Sequence, residues 1–67
     1  MPSAVIRTFS YDAQSQALTI IFQSGRRYLY RDVPETLAAE MKRAFSKGEF
    51  FNEHIRAHFS FERLPDE

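Results

Sequence analysis

Hydrophobic positions in this chain recur first every second residue and then every third or fourth, and the period changes at Pro34. A period of two belongs to a half-buried strand and a period near 3.6 to an amphipathic helix. Val5 to Tyr11, rich in β-branched and aromatic residues, reads as a first strand. Strict alternation puts Val5, Phe9 and Tyr11 on one side with Arg7 and leaves Ile6 on the other. A bulge near Ile6-Arg7 would return Ile6 to the side of Phe9 and Tyr11. The polar stretch Asp12 to Gln16 predicts a hairpin loop. Ala17 to Phe22 is the cleanest strand, with Leu18, Ile20 and Phe22 facing one way and Ala17, Thr19 and Ile21 the other. Ser24-Gly25 can supply the positive φ angles of a two-residue turn. Arg27 to Arg31 then form a third strand, with Tyr28 and Tyr30 opposite Arg27, Leu29 and Arg31. Pro34 ends that strand, because it has no N–H for a ladder and its φ suits a helix start.

Leu37, Met41 and Ala44/Phe45 follow at helical spacing. Glu35 in the first turn and Lys42 and Arg43 in the last complement the helix dipole. Ser46-Lys47-Gly48-Glu49 has the capping-box pattern and predicts a second helix from Ser46, with Phe50, Phe51, His54 and Ile55 as its apolar side. Phe59 and Phe61 alternate, so the segment to Leu64 is expected to be extended, and Asp66-Glu67 to fray. The expected fold is α+β: a three-stranded antiparallel β-meander followed by two α-helices covering one face, with a short extended C-terminal segment folding back along sheet or helix. Residues 1–67 form one domain without linker or repeat. Leu18, Ile20, Phe22, Leu37, Met41, Phe45, Phe51 and Ile55 are the expected buried set.

Composition sharpens this picture in three ways. There is no cysteine, so disulfides, thiolate nucleophiles and zinc–thiolate centres are excluded. The seven phenylalanines and three tyrosines are the substitute for a disulfide staple, since each large ring buries ~150–250 Å². Self-association is a second route to burial in so short a chain. Formal net charge is zero, but the tail contributes two of the nine acids, so residues 1–64 carry nine bases against seven acids, or +2. No apolar run approaches the ~20 residues of a membrane span, and Met1 to Val5 lacks the pattern of a signal peptide, so a cytoplasmic location is expected.

The ordered series Ile6-Arg-Thr-Phe-Ser-Tyr11-Asp12, Leu18-Thr-Ile-Ile-Phe22, Ser24-Gly25, Tyr28-Leu-Tyr30, Asp32-Val33-Pro34, Ser46-Lys47-Gly48-Glu-Phe50-Phe51-Asn52 and Ile55-Arg56 resembles the KTSC domain. That family takes its name from the C-terminus of some lysyl-tRNA synthetases and includes small free-standing bacterial proteins. Its Tyr-x-Tyr corresponds to Tyr28 and Tyr30, and His58-Phe59-Ser60-Phe61 departs from its Tyr-Pro-Tyr ending. The resemblance covers about residues 4 to 64 and implies the fold above and a link to RNA.

Rings at alternate strand positions can stack bases, and neighbouring arginines can hold phosphates. On that reading Tyr28 and Tyr30 stack bases while Arg26, Arg27 and Arg31, helped by Arg7 and Arg56, hold the backbone of an RNA. The competing reading packs both tyrosines under the helices and leaves the arginines solvated. A second candidate is an anion site at Ser46, Lys47, Gly48 and Asn52, where a helix N-terminus offers free N–H groups; its competitor is simple capping by Ser46. His54 and His58 have metal-ligand spacing on a helix, but Glu62 would complete a site only if the helix continued, so no metal or other cofactor is expected. Without a nucleophile motif or carboxylate pair, catalysis is not expected either. The alternative function is a protein–protein or regulatory module, including a homodimer, using Phe50, Phe51, Phe59 and Phe61.

Overall fold

The computed structural model describes residues 5–65. Asp66-Glu67, expected to fray, lie outside the described residues. The elements are β1 (Ile6–Asp12), β2 (Ala17–Phe22), β3 (Arg27–Tyr30), α1 (Glu35–Arg43), α2 (Lys47–His54) and β4 (Phe61–Leu64). The strands form one antiparallel sheet in the order β1-β2-β3-β4. The meander therefore has a fourth member: the extended C-terminal segment pairs with β3, and Arg31 N donates to Ser60 O at 2.9 Å to prolong that ladder.

Two local features set the register. The β1–β2 register shifts between Ile6 and Thr8, which is the bulge that the stray Ile6 called for. As a result Ile6, Phe9 and Tyr11 all lie on one face, opposite Phe22, Ile20 and Leu18. The second hairpin turns through three residues, not two. Phe22 N donates to Arg26 O and Gly25 N to Phe22 O, both at 2.9 Å, so Gln23-Ser24-Gly25 is the loop. Its last residue must be left-handed in such a loop, and Gly25 has φ +94°.

After β3 the chain is tied down before it enters α1. Val33 N donates to Gln16 O at 3.0 Å, and the Tyr11 hydroxyl donates to Val33 O at 2.5 Å, so the β1–β2 loop anchors the crossover. Asp32 adopts φ +59°, a conformation its short polar side chain tolerates. Pro34 is the residue before the helix, and its carbonyl accepts from Leu37 N and Ala38 N. The helix ends at Arg43 because Ala44 turns extended, with φ −65° and ψ 142°. Ser46 caps α2 as the sequence indicates: its Oγ accepts from Glu49 N at 3.2 Å, the serine half of the capping-box pattern.

Both helices lie on the face carrying Leu18 and Ile20. The buried core is Leu18, Ile20, Tyr30, Val33, Ala38, Met41, Phe51 and Ile55. Phe22 and Leu37 pack against it partly buried. Phe45, expected inside, is fully exposed. The reason is the extended Ala44: with the helix broken there, the spacing from Met41 no longer carries Phe45 onto the same face. Truncating Phe51 to alanine is expected to cost ~3–5 kcal/mol in urea unfolding, whereas Phe45→Ala stays within about 0.5 kcal/mol of the parent.

Candidate nucleic-acid interface

The pleat decides which residues of β3 meet solvent. Tyr28 and Tyr30 stand opposite Ile20 and Leu18, on the helix-covered face. Tyr30 is 2 % exposed, with its ring edge-on to Phe51 at 5.3 Å and tilted against Phe61 at 5.3 Å. Tyr28 is half-buried, stacked on Phe61 at 5.4 Å with an interplanar angle of 3° and edge-on to Phe22 at 5.6 Å. The buried Tyr30 has no platform for a base, and one face of Tyr28 is already taken by Phe61. Base stacking by Tyr28 and Tyr30 is thus corrected: the packing alternative is the arrangement the structure has, and Phe61 on β4 is the residue that closes it. That role was invisible without the β3–β4 pairing.

The arginines divide into separate places. Arg27 lies on the other, helix-free face opposite Ile21, which in turn stands opposite Thr8. Arg7 is the exposed extra residue of the bulge next to Thr8, and Arg26 is exposed at the end of the hairpin loop. Gln23 N donates to Val5 O at 3.0 Å and brings the loop against the start of β1. Arg7, Arg26 and Arg27 therefore share one end of the sheet, with β1 and β3 about 9–10 Å apart at the backbone. Arg27 Nε is buried without a hydrogen-bond partner. Arg31 sits at the opposite end of β3 and is ion-paired with Glu62. Arg56 follows α2 and hydrogen-bonds Asn52 Oδ1 at 3.5 Å. Arg63, not singled out from sequence, stands opposite Tyr28.

Charge is segregated along the chain. Residues 1–31 contain Arg7, Arg26, Arg27, Arg31 and a single acid, Asp12, for a balance of +3; residues 32–67 carry five bases and eight acids, for −3. Asp12 is committed locally, accepting from Gln14 N at 3.1 Å and from the Ser15 hydroxyl at 2.9 Å. Among the described residues, neither Arg7, Arg26 nor Arg27 has an ion pair.

The second candidate is filled by the chain itself. Ser46 Oγ caps α2, and Lys47 Nζ donates to Ala44 O at 2.6 Å, stitching the α1–α2 turn. Gly48 is half-buried, and Asn52 takes the hydrogen bond from Arg56. Ser46, Lys47 and Asn52 thus each have a partner within the chain. Helix α2 ends at His54, so His54 and His58 do not share a helical face, and His58 Nε2 instead lies 3.1 Å from Glu53 O. Among the described residues no group of three His, Cys, Asp or Glu could hold a metal, and no helix is long and apolar enough to cross a membrane. Of the phenylalanines considered for protein contact, Phe51 is buried, Phe50 and Phe59 are half-buried, and Phe61 is 52 % exposed.

The model of the KTSC domain matches residues 2–59. The chain belongs to the KTSC domain family. It is 44 % identical over 61 residues to a lysine–tRNA ligase of Nostoc punctiforme and 39 % identical over 59 residues to one of Nostoc sp.. These matches take in 91 % and 88 % of the chain but only 11 % and 10 % of the ligases, so the chain spans about a tenth of their length. An uncharacterised protein of Stutzerimonas stutzeri is 31 % identical over 65 residues, covering 96 % of the chain and 92 % of that protein. The crystal structure of a KTSC domain protein from Yersinia pestis is similar with a TM-score of 0.88 at 31 % identity, over 97 % of this chain and 92 % of that one.

In this KTSC domain the packed tyrosines also leave an electrostatic mark. Burial, with help from the neighbouring Tyr28, pushes the Tyr30 phenol above its ordinary value of 10.0, and Arg56 opposes the shift. Tyr11 is likewise raised from 10.0, first by desolvation and then by Glu35 and Asp12. A raised folded-state value favours the neutral phenol, so its stabilising effect is present below pH ~10 and is lost as pH rises through the folded-state value. Unfolding followed against pH is expected to show falling stability above pH ~10, and Tyr30→Phe should flatten that decline.

Proposed function

We propose that this KTSC domain is a non-catalytic binding module for RNA that grips phosphates with Arg7, Arg26 and Arg27. The observation that carries the reading is the gathering of Arg7 at the bulge, Arg26 at the hairpin loop and Arg27 on the helix-free face at one end of the sheet, with no ion pair among the described residues. A guanidinium contacts phosphate through paired N–H donors and keeps its charge at any physiological pH. Residues 1–31 carry a balance of +3, although the whole chain is neutral, and three of their four arginines lie at this end of the sheet. Kinship with part of two lysine–tRNA ligases supports RNA, and tRNA in particular, as the polyanion. Tyr28 and Tyr30 act here as the packing that sets the pleat, so Arg27 emerges on the opposite face.

Fluorescence anisotropy with tRNA checks this. Binding is expected with a Kd of roughly 1–100 µM at low salt, weakening steeply as salt rises. Arg7→Ala with Arg26→Ala should weaken it and lower the salt slope by about 2, while Arg43→Ala on α1 should have little effect. No binding at about 100 µM and low salt, or a double variant that binds like the parent, overturns the reading.

One observation favours protein contact instead: Phe45 projects fully exposed from the α1–α2 turn, with Phe61 half-exposed. On that reading the domain self-associates or docks on a partner through Phe45. Light scattering during size-exclusion chromatography should then show a dimer that Phe45→Ser dissociates; a monomer at all concentrations removes the self-association form.

A further inference from the structure

We infer, building on the RNA reading above, that the RNA this face takes is double-helical and is distinguished from DNA by its 2′-hydroxyls. The argument starts from where the rings are not. Every aromatic residue on a strand (Phe9, Tyr11, Phe22, Tyr28, Tyr30 and Phe61) occupies a register position on the helix-covered face. The face that bears Arg27 carries none. Proteins that hold single strands do so by stacking splayed bases on exposed rings, each worth a large share of the affinity. A face without rings lacks that means of holding bases.

What the face carries instead, beside Ile21 and Leu29 and the Glu62 and Leu64 of β4, is a row of hydroxyl groups. Thr8 and Ser10 on β1 and Thr19 on β2 share the helix-free side, with Ser10 directly opposite Thr19. Thr8 and Ser10 are exposed and Thr19 half-exposed. Arg7 adjoins Thr8 at the bulge, and Arg27 lies two strands away on the same side. Hydroxyls both donate and accept, as a ribose 2′-hydroxyl does. An A-form helix displays its 2′-hydroxyls in a wide, shallow minor groove flanked by phosphates, and proteins recognise it by shape and by those groups. A row of hydroxyls along β1 and β2, with the guanidiniums of Arg7 and Arg27 at one end, matches that order of groups. A DNA duplex offers the phosphates but no 2′-hydroxyl.

The test measures binding of the intact domain to three labelled probes at low salt: an RNA duplex of about 16 base pairs, the DNA duplex of the same sequence, and one of the RNA strands alone. The RNA duplex is expected to bind about tenfold more tightly than the single strand and severalfold more tightly than the DNA duplex. The triple variant Thr8→Val, Ser10→Ala, Thr19→Val should bring RNA and DNA duplexes to equal affinity while leaving the salt dependence of the DNA complex as it was. Circular dichroism checks its folding, and Ser10→Ala alone, at an exposed position, serves if the triple variant unfolds; it should narrow the RNA-over-DNA ratio in the same direction. Equal or tighter binding of the single strand overturns the inference while leaving the RNA reading standing. So does a preference for RNA over DNA that survives the hydroxyl substitutions. Absence of binding to all three probes removes the RNA reading itself.

Discussion

The contact of Tyr30 with Phe51 is where sheet and helices become one body. Phe51 is the buried side chain of α2, and its ring meets Tyr30 at 5.3 Å and Phe22 at 5.6 Å, edge-on in both cases. Such pairs add ~0.5–1.5 kcal/mol beyond the area they bury, which matters in a domain too short to afford a second core. Phe61 extends the cluster to β4, so the last strand is held by ring packing as well as by its ladder with β3.

That constraint also organises the outside. A strand has two faces, and commitment of Tyr28 and Tyr30 to the core sends Arg27 and Leu29 to the other side. The aromatic pair that looks at first like recognition chemistry is then part of the scaffold, and the surface opposite it carries Arg27, the hydroxyls of Thr8, Ser10 and Thr19, the aliphatic Ile21, Leu29 and Leu64, and Glu62. The neutrality of the chain hides this arrangement, because the acids concentrate after residue 31, in the helices and the C-terminal segment. A balance of zero is in this case a separation of charge.

The parts of this molecule that depend on neighbours along the chain were legible in its residues. The change of period at Pro34, the bulge forced by Ile6 and the capping box at Ser46 each follow from a few adjacent side chains. What depends on distant partners was not. Phe59 and Phe61 alternate, but nothing nearby says that Phe61–Leu64 joins β3, and without that pairing the stack of Phe61 on Tyr28 has no cause. Alternation likewise told which residues share a face of β3, not which face the helices cover. Phe45 was misplaced for a local reason: Ala44 is a strong helix former, yet it is the residue that leaves the helix. For the interface, the identity of the arginines was readable, whereas the grouping of Arg7 with Arg27 and the isolation of Arg31 and Arg56 needed the register.

The two rims of the sheet, β1 and β4, present backbone groups that could template further strands. On β1 the shift between Ile6 and Thr8 breaks the run of evenly spaced amides, and the surplus residue there is a cation. On β4 only four residues are in the ladder, Glu62 and Arg63 among them, and Pro65 follows with no N–H to offer. A crowding copy therefore finds an irregular, charged margin on one flank and a short, charged one on the other. Growth by adding sheet to sheet is discouraged at both, and the broad surface between them stays free for other molecules.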